Sequence, residues 1–221
     1  MEKIAQGDLT RKLILDTAKQ IFNEKGINLT IENLAAEMGI PKGRLTNHFS
    51  TKDKLFLAIM SDYEEKLAGK LAELKEYYLS KSLADVVSLI SQVMDVQFDY
   101  RCAISFLTVL GPGQIELREQ IQKGIRRNRA NIHARIAAMV KNKLLIPDIL
   151  EENRFESFIF IYVNVLTQWV NYYDMYDANL DFASAKPKYI RSILEHVYQP
   201  YLTRKGKKEL QALDYSRLLQ A

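Results

Sequence analysis

The sequence has 221 residues, 48% of them apolar and 26% charged, which is the composition of a folded globular chain and excludes a disordered or membrane-spanning one. A single cysteine, Cys102, excludes intramolecular disulfides and cysteine-built zinc sites, and points to a reducing, cytoplasmic setting. The net charge of +4 attracts polyanions only mildly; the densest apolar run, 158–166, is too short to span a membrane, and residues 1–10 lack the apolar core of a secretory signal.

Glycine and proline are sparse, and no Asn-Gly, Asp-Gly or Gly-Gly pair signals a hairpin, so the chain reads as all-α. Leu9, Leu13, Ile14, Ala18, Ile21 and Phe22 recur at helical spacing and form a first helix that Gly26 can end. Thr30 caps a second helix, with Ile31, Leu34, Ala35 and Met38 inside and Gly39 just beyond it. A short third helix follows from Pro41 to about Asn47, proline being tolerated at a helix start. Ser50 or Thr51 caps a fourth helix through Leu55, Phe56, Ile59, Met60, Tyr63 and Leu67, continuing to about Tyr78. Ser82 caps a fifth; a shorter one from about Ala103 stops at Gly111-Pro112-Gly113; a long one spans 114–145 and ends before Pro147. Residues 149–176 are apolar almost all round, as in a helix buried on several faces. A last major helix is expected from Pro187 to Pro200, and a tail through Leu210, Leu213, Leu218 and Leu219 can add a short amphipathic one.

The stretch 31–49 carries the most specific pattern. Two short helices meet at Gly39, a residue that accepts the positive φ of a tight turn, and Ala35 is small where crossing helices touch. With Leu34, Met38, Ile40 and Leu45 turned inward, Lys42, Gly43, Arg44, Thr46 and Asn47 face outward at the front of the second helix. That is the arrangement of a helix-turn-helix. Arg44 can bond guanine O6 and N7, and Asn47 adenine N6 and N7. Thr30, Lys42, Thr46, His48 and Lys52 suit phosphate, which sets register without reading sequence. The local charge from Pro41 to Lys54, four cations against Asp53, favours a polyanion; a helical hairpin with merely solvated charges is the competing interpretation.

Residues 10–60 resemble the N-terminal domain of TetR-type transcriptional regulators, through Thr10-Arg-Lys-Leu-Ile-Leu-Asp-Thr-Ala-Lys-Gln-Ile-Phe-Asn-Glu-Lys-Gly26, Leu29-Thr-Ile-Glu-Asn-Leu-Ala-Ala-Glu-Met-Gly-Ile40, Lys42-Gly-Arg-Leu45, His48-Phe49 and Lys52-Asp-Lys-Leu-Phe56. The resemblance covers about a quarter of the chain. It implies an all-α homodimer in which three N-terminal helices bind double-stranded operator DNA. A larger C-terminal domain then binds a small-molecule inducer and dimerises through its last two long helices. On that reading residues 1–50 form the DNA-binding domain, 51–80 a connecting helix, 81–203 the ligand-binding and dimerisation domain, and 204–221 a tail. Thr46 and Asn47 stand where that family commonly has aromatic residues, and Arg44 where it often has a small hydroxyl, which implies a different base preference. Pro41 stands in place of a frequent capping serine.

For the effector, the resemblance directs attention to helices between Ser82 and Tyr176. Phe98, Cys102, Phe106, Tyr162, Asn164, Gln168, Trp169 and Tyr172 offer aromatic walls with a few polar groups, although aromatics at helical spacing also make ordinary core. Asn164 and Gln168, one turn apart in an apolar helix, need partners if buried, from a ligand or a second subunit. Arg126, Arg127, Arg129 and Arg135 read as a solvated face that could alternatively receive an anionic ligand. Tyr189, Ile190, Ile193, Leu194 and Val197, with residues 155–169, make the expected dimer seam. The three histidines are scattered, and no P-loop, G-x-G-x-x-G, G-x-S-x-G or His-Glu-x-x-His spacing occurs, so neither an enzyme nor a cofactor is expected. The remaining alternative is a helical interaction or small-molecule-binding module that does not read DNA.

Overall fold

The computed structural model describes residues 6–74, 81–109, 115–215 and 218. Among them lie ten α-helices and no strand: α1 (Gln6–Lys25), α2 (Ile31–Glu37), α3 (Lys42–His48), α4 (Lys52–Glu73), α5 (Leu83–Asp99), α6 (Arg101–Leu107), α7 (Ile115–Lys141), α8 (Glu152–Tyr172), α9 (Phe182–Ser192) and α10 (Arg204–Ala212). The all-α expectation holds. No described helix is long and apolar enough to cross a membrane, and no group of three or more His, Cys, Asp or Glu among the described residues could hold a metal ion. The continuation of the fourth helix to Tyr78, the Gly111-Pro112-Gly113 break and Leu219 lie outside the described residues.

Several helix ends follow from local chemistry. Thr30, Asp181 and Thr203 accept, through their side-chain oxygens, the backbone N–H three residues on, at 3.1 Å in each case. At the start of α5, Ser82 Oγ accepts from Asp85 N while Asp85 Oδ2 accepts from Ser82 N, a reciprocal box. Gly26 and Gly39 take φ of +86° and +65°, and Gly39 closes α2 with the paired bonds Gly39 N to Ala36 O and Ile40 N to Ala35 O.

The chain divides into two compact units. The first comprises Met1–Lys66 and Gln97–Ile121. Its core is built on Ile14, Ala18 and Phe22 of α1, with Phe22, Phe56 and Phe106 stacked at ring separations of 4.7 and 3.8 Å. Asn23 fastens the α5–α6 junction to α1: its Oδ1 accepts from Cys102 N and its Nδ2 donates to Asp99 O, both at 2.9 Å. Leu9 and Leu13, expected on the inner stripe of α1, are exposed, because the buried positions repeat every four residues from Ile14.

The second unit comprises Leu67–Val96 and Gln122–Ala221. Here α7 ends at Lys141, earlier than Pro147 suggested, with Lys143 at φ +60° as the turning residue. Helix α9 starts at Phe182, five residues before the expected Pro187, since Asp181 supplies the cap; the proline sits inside the helix. α8 and α9 each run into a π-helical turn, Tyr173–Asp177 and Ile193–Tyr198. Tyr189, Ile190, Ile193, Leu194 and Val197 are all buried inside this unit, so the stripe expected at a dimer seam is instead protomer core. Conversely α8 is not buried all round: Phe160, Ile161 and Val163 face solvent, as do Met175 and Tyr176 beyond its end. Helix α10 docks through Thr203 N to Leu144 O at 3.0 Å, the isolated bridge Leu145–Leu202, and Glu209 Oε2 accepting from Leu83 N at 2.9 Å.

Candidate nucleic-acid interface

Within the first unit, α2 and α3 are held by a small apolar joint. Leu34, Ala35, Leu45 and Phe49 are buried, each large side chain contributing roughly 2–3 kcal/mol by leaving water. Met38 and Ile40, expected to share this joint, are only half-buried. Arg11 lies over the Phe49 ring at 4.7 Å, and Lys25 pairs with Glu37 at 2.5 Å, tying both ends of α1 to the helical pair.

With Leu45 inward, α3 turns Lys42, Gly43, Arg44 and Asn47 to solvent, while Thr46 and His48 are half-buried. Arg44 and Asn47 are three residues apart and share one face. Among the described residues neither side chain has a hydrogen bond or ion pair inside the protein, so both present their full donor sets outward. The other expected contacts are partly engaged already. Thr46 Oγ1 donates to the carbonyls of Lys42 and Gly43 at 3.2 and 3.3 Å. Thr30 Oγ1 accepts from Asn33 N, and its hydroxyl also bonds the Glu32 carboxyl. Lys42 Nζ donates to Glu32 Oε1, and that bond holds the Glu32 carboxyl below the usual carboxylate range. Lys52 Nζ turns inward to the Ile27 carbonyl, about 6 Å from the Phe22 and Phe56 ring centres, and burial lowers its pKa. Pro41 leaves α3 without a side-chain cap. Sequence reasoning missed the inward turn of Lys52 and the Glu32–Lys42 pair, because ten residues and a turn separate Glu32 from Lys42 and no periodicity links them.

The eight residues expected at an effector site are divided between the two units, three in the first and five in the second. Phe98, Cys102 and Phe106 belong to the first unit, where Phe106 stacks on Phe56 and burial pushes the Cys102 thiol up to about 12. Phe98 is half-buried, with the Arg101 guanidinium 4.6 Å from its ring centre. In the second unit Trp169 is core, stacked on Phe182 at 5.1 Å. Asn164, Gln168 and Tyr172 lie on the exposed side of α8, contrary to the expectation of buried amides; Asn164 Nδ2 donates to Phe160 O, and Gln168 Oε1 accepts from Asn171 Nδ2. Tyr162 is buried and accepts from Arg135 at 3.0 Å. Arg135 is thus interior, not part of a solvated face, whereas Arg126, Arg127 and Arg129 are exposed.

Two short helices joined at a positive-φ glycine, the second presenting an unengaged arginine and asparagine, define a helix-turn-helix protein. Residues 14–59 match the family model of bacterial regulatory proteins, tetR family. An uncharacterized HTH-type transcriptional regulator, YuxN of Bacillus subtilis, is 34% identical over 65 residues, 29% of this chain and 22% of that protein. The HTH-type transcriptional repressor Rv1474c of Mycobacterium tuberculosis is 34% identical over 72 residues, 31% of this chain and 38% of that one. The matched stretch therefore spans well under half of either relative. A TetR-family transcriptional regulator from Marinobacter aquaeolei VT8 has the same fold, with a TM-score of 0.74 and 24% identity over 95% of this chain and 98% of that chain. Residues 14–59 are thus similar to the matching part of tetR-family regulatory proteins, and over nearly the whole chain the fold is that of the Marinobacter regulator.

Proposed function

We propose that the protein is a ligand-responsive repressor that binds a two-fold-symmetric operator as a homodimer and leaves it when a small-molecule inducer binds. The observation that carries this reading is the exposed face of α3, where Arg44 and Asn47 are held outward by the buried Leu45 and have no partner of their own among the described residues. Each good bidentate base contact is worth about 1–3 kcal/mol of discrimination. Thr30, Lys42, Thr46 and His48 serve phosphate, Gly43 lets the backbone come close, and Lys52 supports the head by fixing the Ile27 carbonyl.

Residues 1–50 are assigned to DNA, 51–80 to a connecting helix and 81–203 to inducer and dimer contacts. The exposed stripe Phe160, Asn164, Gln168, Tyr172 and Tyr176, four residues apart along α8 and its π-turn, is the face we assign to the second subunit. Asn164 and Gln168 then bond across that seam, and Tyr162 and Trp169 stand nearest to any inducer. Induction works as a population shift: the inducer favours a dimer form whose two α3 helices no longer match successive major grooves.

Selection from a random duplex pool tests the reading, followed by the salt dependence of binding. A two-fold-symmetric site should emerge. For a dimer contacting about eight phosphates, log K should fall with log salt at a slope of about −7. A pool that enriches nothing, with weak binding lost at moderate salt, favours the non-DNA helical module instead.

A further inference from the structure

We propose that Glu32 is a specificity-determining residue that masks Lys42, so that the free reading head offers Arg44 as its principal cation and lends Lys42 only to a duplex that docks fully. The inference rests on the DNA-binding reading and goes beyond it by naming a residue that opposes binding. Three observations carry it. Lys42 Nζ is bonded to Glu32 Oε1 across the α2–α3 turn. Both side chains are more than half exposed, at 55% and 57%, so the pair lies in high-dielectric surroundings and exchanges readily for another partner. The neighbouring cations are diverted in the same way, Lys25 onto Glu37 and Lys52 onto the Ile27 carbonyl, whereas Arg44 is not.

The chemistry of the exchange follows from charge. While Lys42 stays on Glu32 the pair is neutral and adds nothing to the attraction for a polyanion. When a phosphate takes Lys42, the Glu32 carboxylate loses its cationic partner and keeps only the neutral donors Thr30 and its own backbone N–H, so an uncompensated negative charge stands beside the DNA and repels it. A loosely held, wrong-sequence duplex offers no base contacts to offset that repulsion, so Lys42 stays latched. In the matched complex, with α3 seated in the groove, the base contacts offset it and Lys42 moves. The carboxylate therefore suppresses sequence-independent binding more than specific binding.

The test uses the full chain with Glu32→Gln, Lys42→Gln and the double variant. Two duplexes are titrated with salt: the one enriched from the random pool, and a shuffled duplex of the same composition. Glu32→Gln should raise affinity for the shuffled duplex about three- to tenfold near 0.1 M salt. It should also steepen that duplex's salt slope by about 0.9, the increment of one added phosphate contact. The slope for the enriched duplex should stay where it was, and the ratio of the two affinities should fall. In Glu32→Gln/Lys42→Gln the gain should vanish. A gain that persists in the double variant means that bulk charge is responsible, and it overturns the latch, as does a single variant that changes neither slope nor affinity. Binding by Glu32→Gln alone, with none by wild type, supports the latch. If neither chain binds any duplex, the DNA-binding reading fails and the latch falls with it.

Discussion

Arg44 differs from Lys42, Lys25 and Lys52 around it in having no hydrogen bond or ion pair among the described residues, and this separates the expected effects of substituting it from those of its neighbours. Arg44→Ala should leave thermal stability within about 0.5 kcal/mol, as for a surface change. It should lower discrimination at one base pair per half-site by about 1–3 kcal/mol, read by competition between single-base variants of the selected duplex. Leu45→Ala, one residue along and fully buried, should do the reverse and destabilise the first unit by about 2–5 kcal/mol. In the second unit Asp177 accepts from Lys188 Nζ and Tyr189 Oη, the lysine being the larger cause of its lowered pKa. A carboxyl whose pKa is lower folded than unfolded stabilises the fold above its unfolded pKa, and that contribution is lost as pH falls through the folded value. The melting temperature should therefore not vary with pH on this group's account near neutrality, where its contribution is fully present, and should decline below about pH 4. Asp177→Asn should melt lower at neutral pH and lose part of the acid sensitivity; an unchanged melting profile at both pH values would count against the network.

At the scale of elements, α10 and α4 each contain a glycine whose replacement has opposite expected signs. A Cβ on Gly206 would stand 2.4 Å from Leu144 O and 2.9 Å from Leu202 Cδ2, so Gly206→Ala must lift the start of α10 from the turn at Leu144 that follows α7. The loss should be about 1–3 kcal/mol, as for other overpacked sites. Gly69, within α4, has nothing within 4 Å, and Gly69→Ala should stabilise by about 0.5–1 kcal/mol through helix propensity. Paired denaturant titrations of the two variants check the contrast. The same elements illustrate what a sequence can and cannot reveal. Ends marked by Thr30, Gly26 and Gly39 were legible, because cap and positive-φ chemistry is local. The end of α7 was not, because a lysine occupies the left-handed position, and the visible Pro147 lies further on. The start of α9 was misplaced because Pro187 resembles a first-turn proline, whereas Asp181 caps the helix six residues before it and the fold tolerates the missing N–H.

At the scale of the whole molecule, apolar periodicity identified helices but not which apolar face meets which partner. The stripe of α9 and the outer stripe of α8 look alike in sequence, yet the first is core and the second is exposed, with Phe160 at 70% and Met175 at 71%. The helix-turn-helix was legible for the converse reason: its joint, turn and outward face all fall within 31–49, so local rules decide them. The Glu32–Lys42 contact and the inward Lys52 depend on packing between elements and left no trace in spacing. The exposed stripe leads to the last expectation. Monomeric proteins rarely leave such a run of aromatic and aliphatic residues in water, so Phe160→Glu should spare the fold, where Phe160 contacts little, and break the assembly. Light scattering should then give a monomer where wild type gives a dimer, with the far-ultraviolet dichroism unchanged. A monomer carries one reading head, so its salt slope on the selected duplex should fall to about half the dimer's, and its affinity should drop far more than any single base contact accounts for. A variant that remains dimeric moves the seam away from α8; one that becomes monomeric yet keeps the full slope separates assembly from DNA binding.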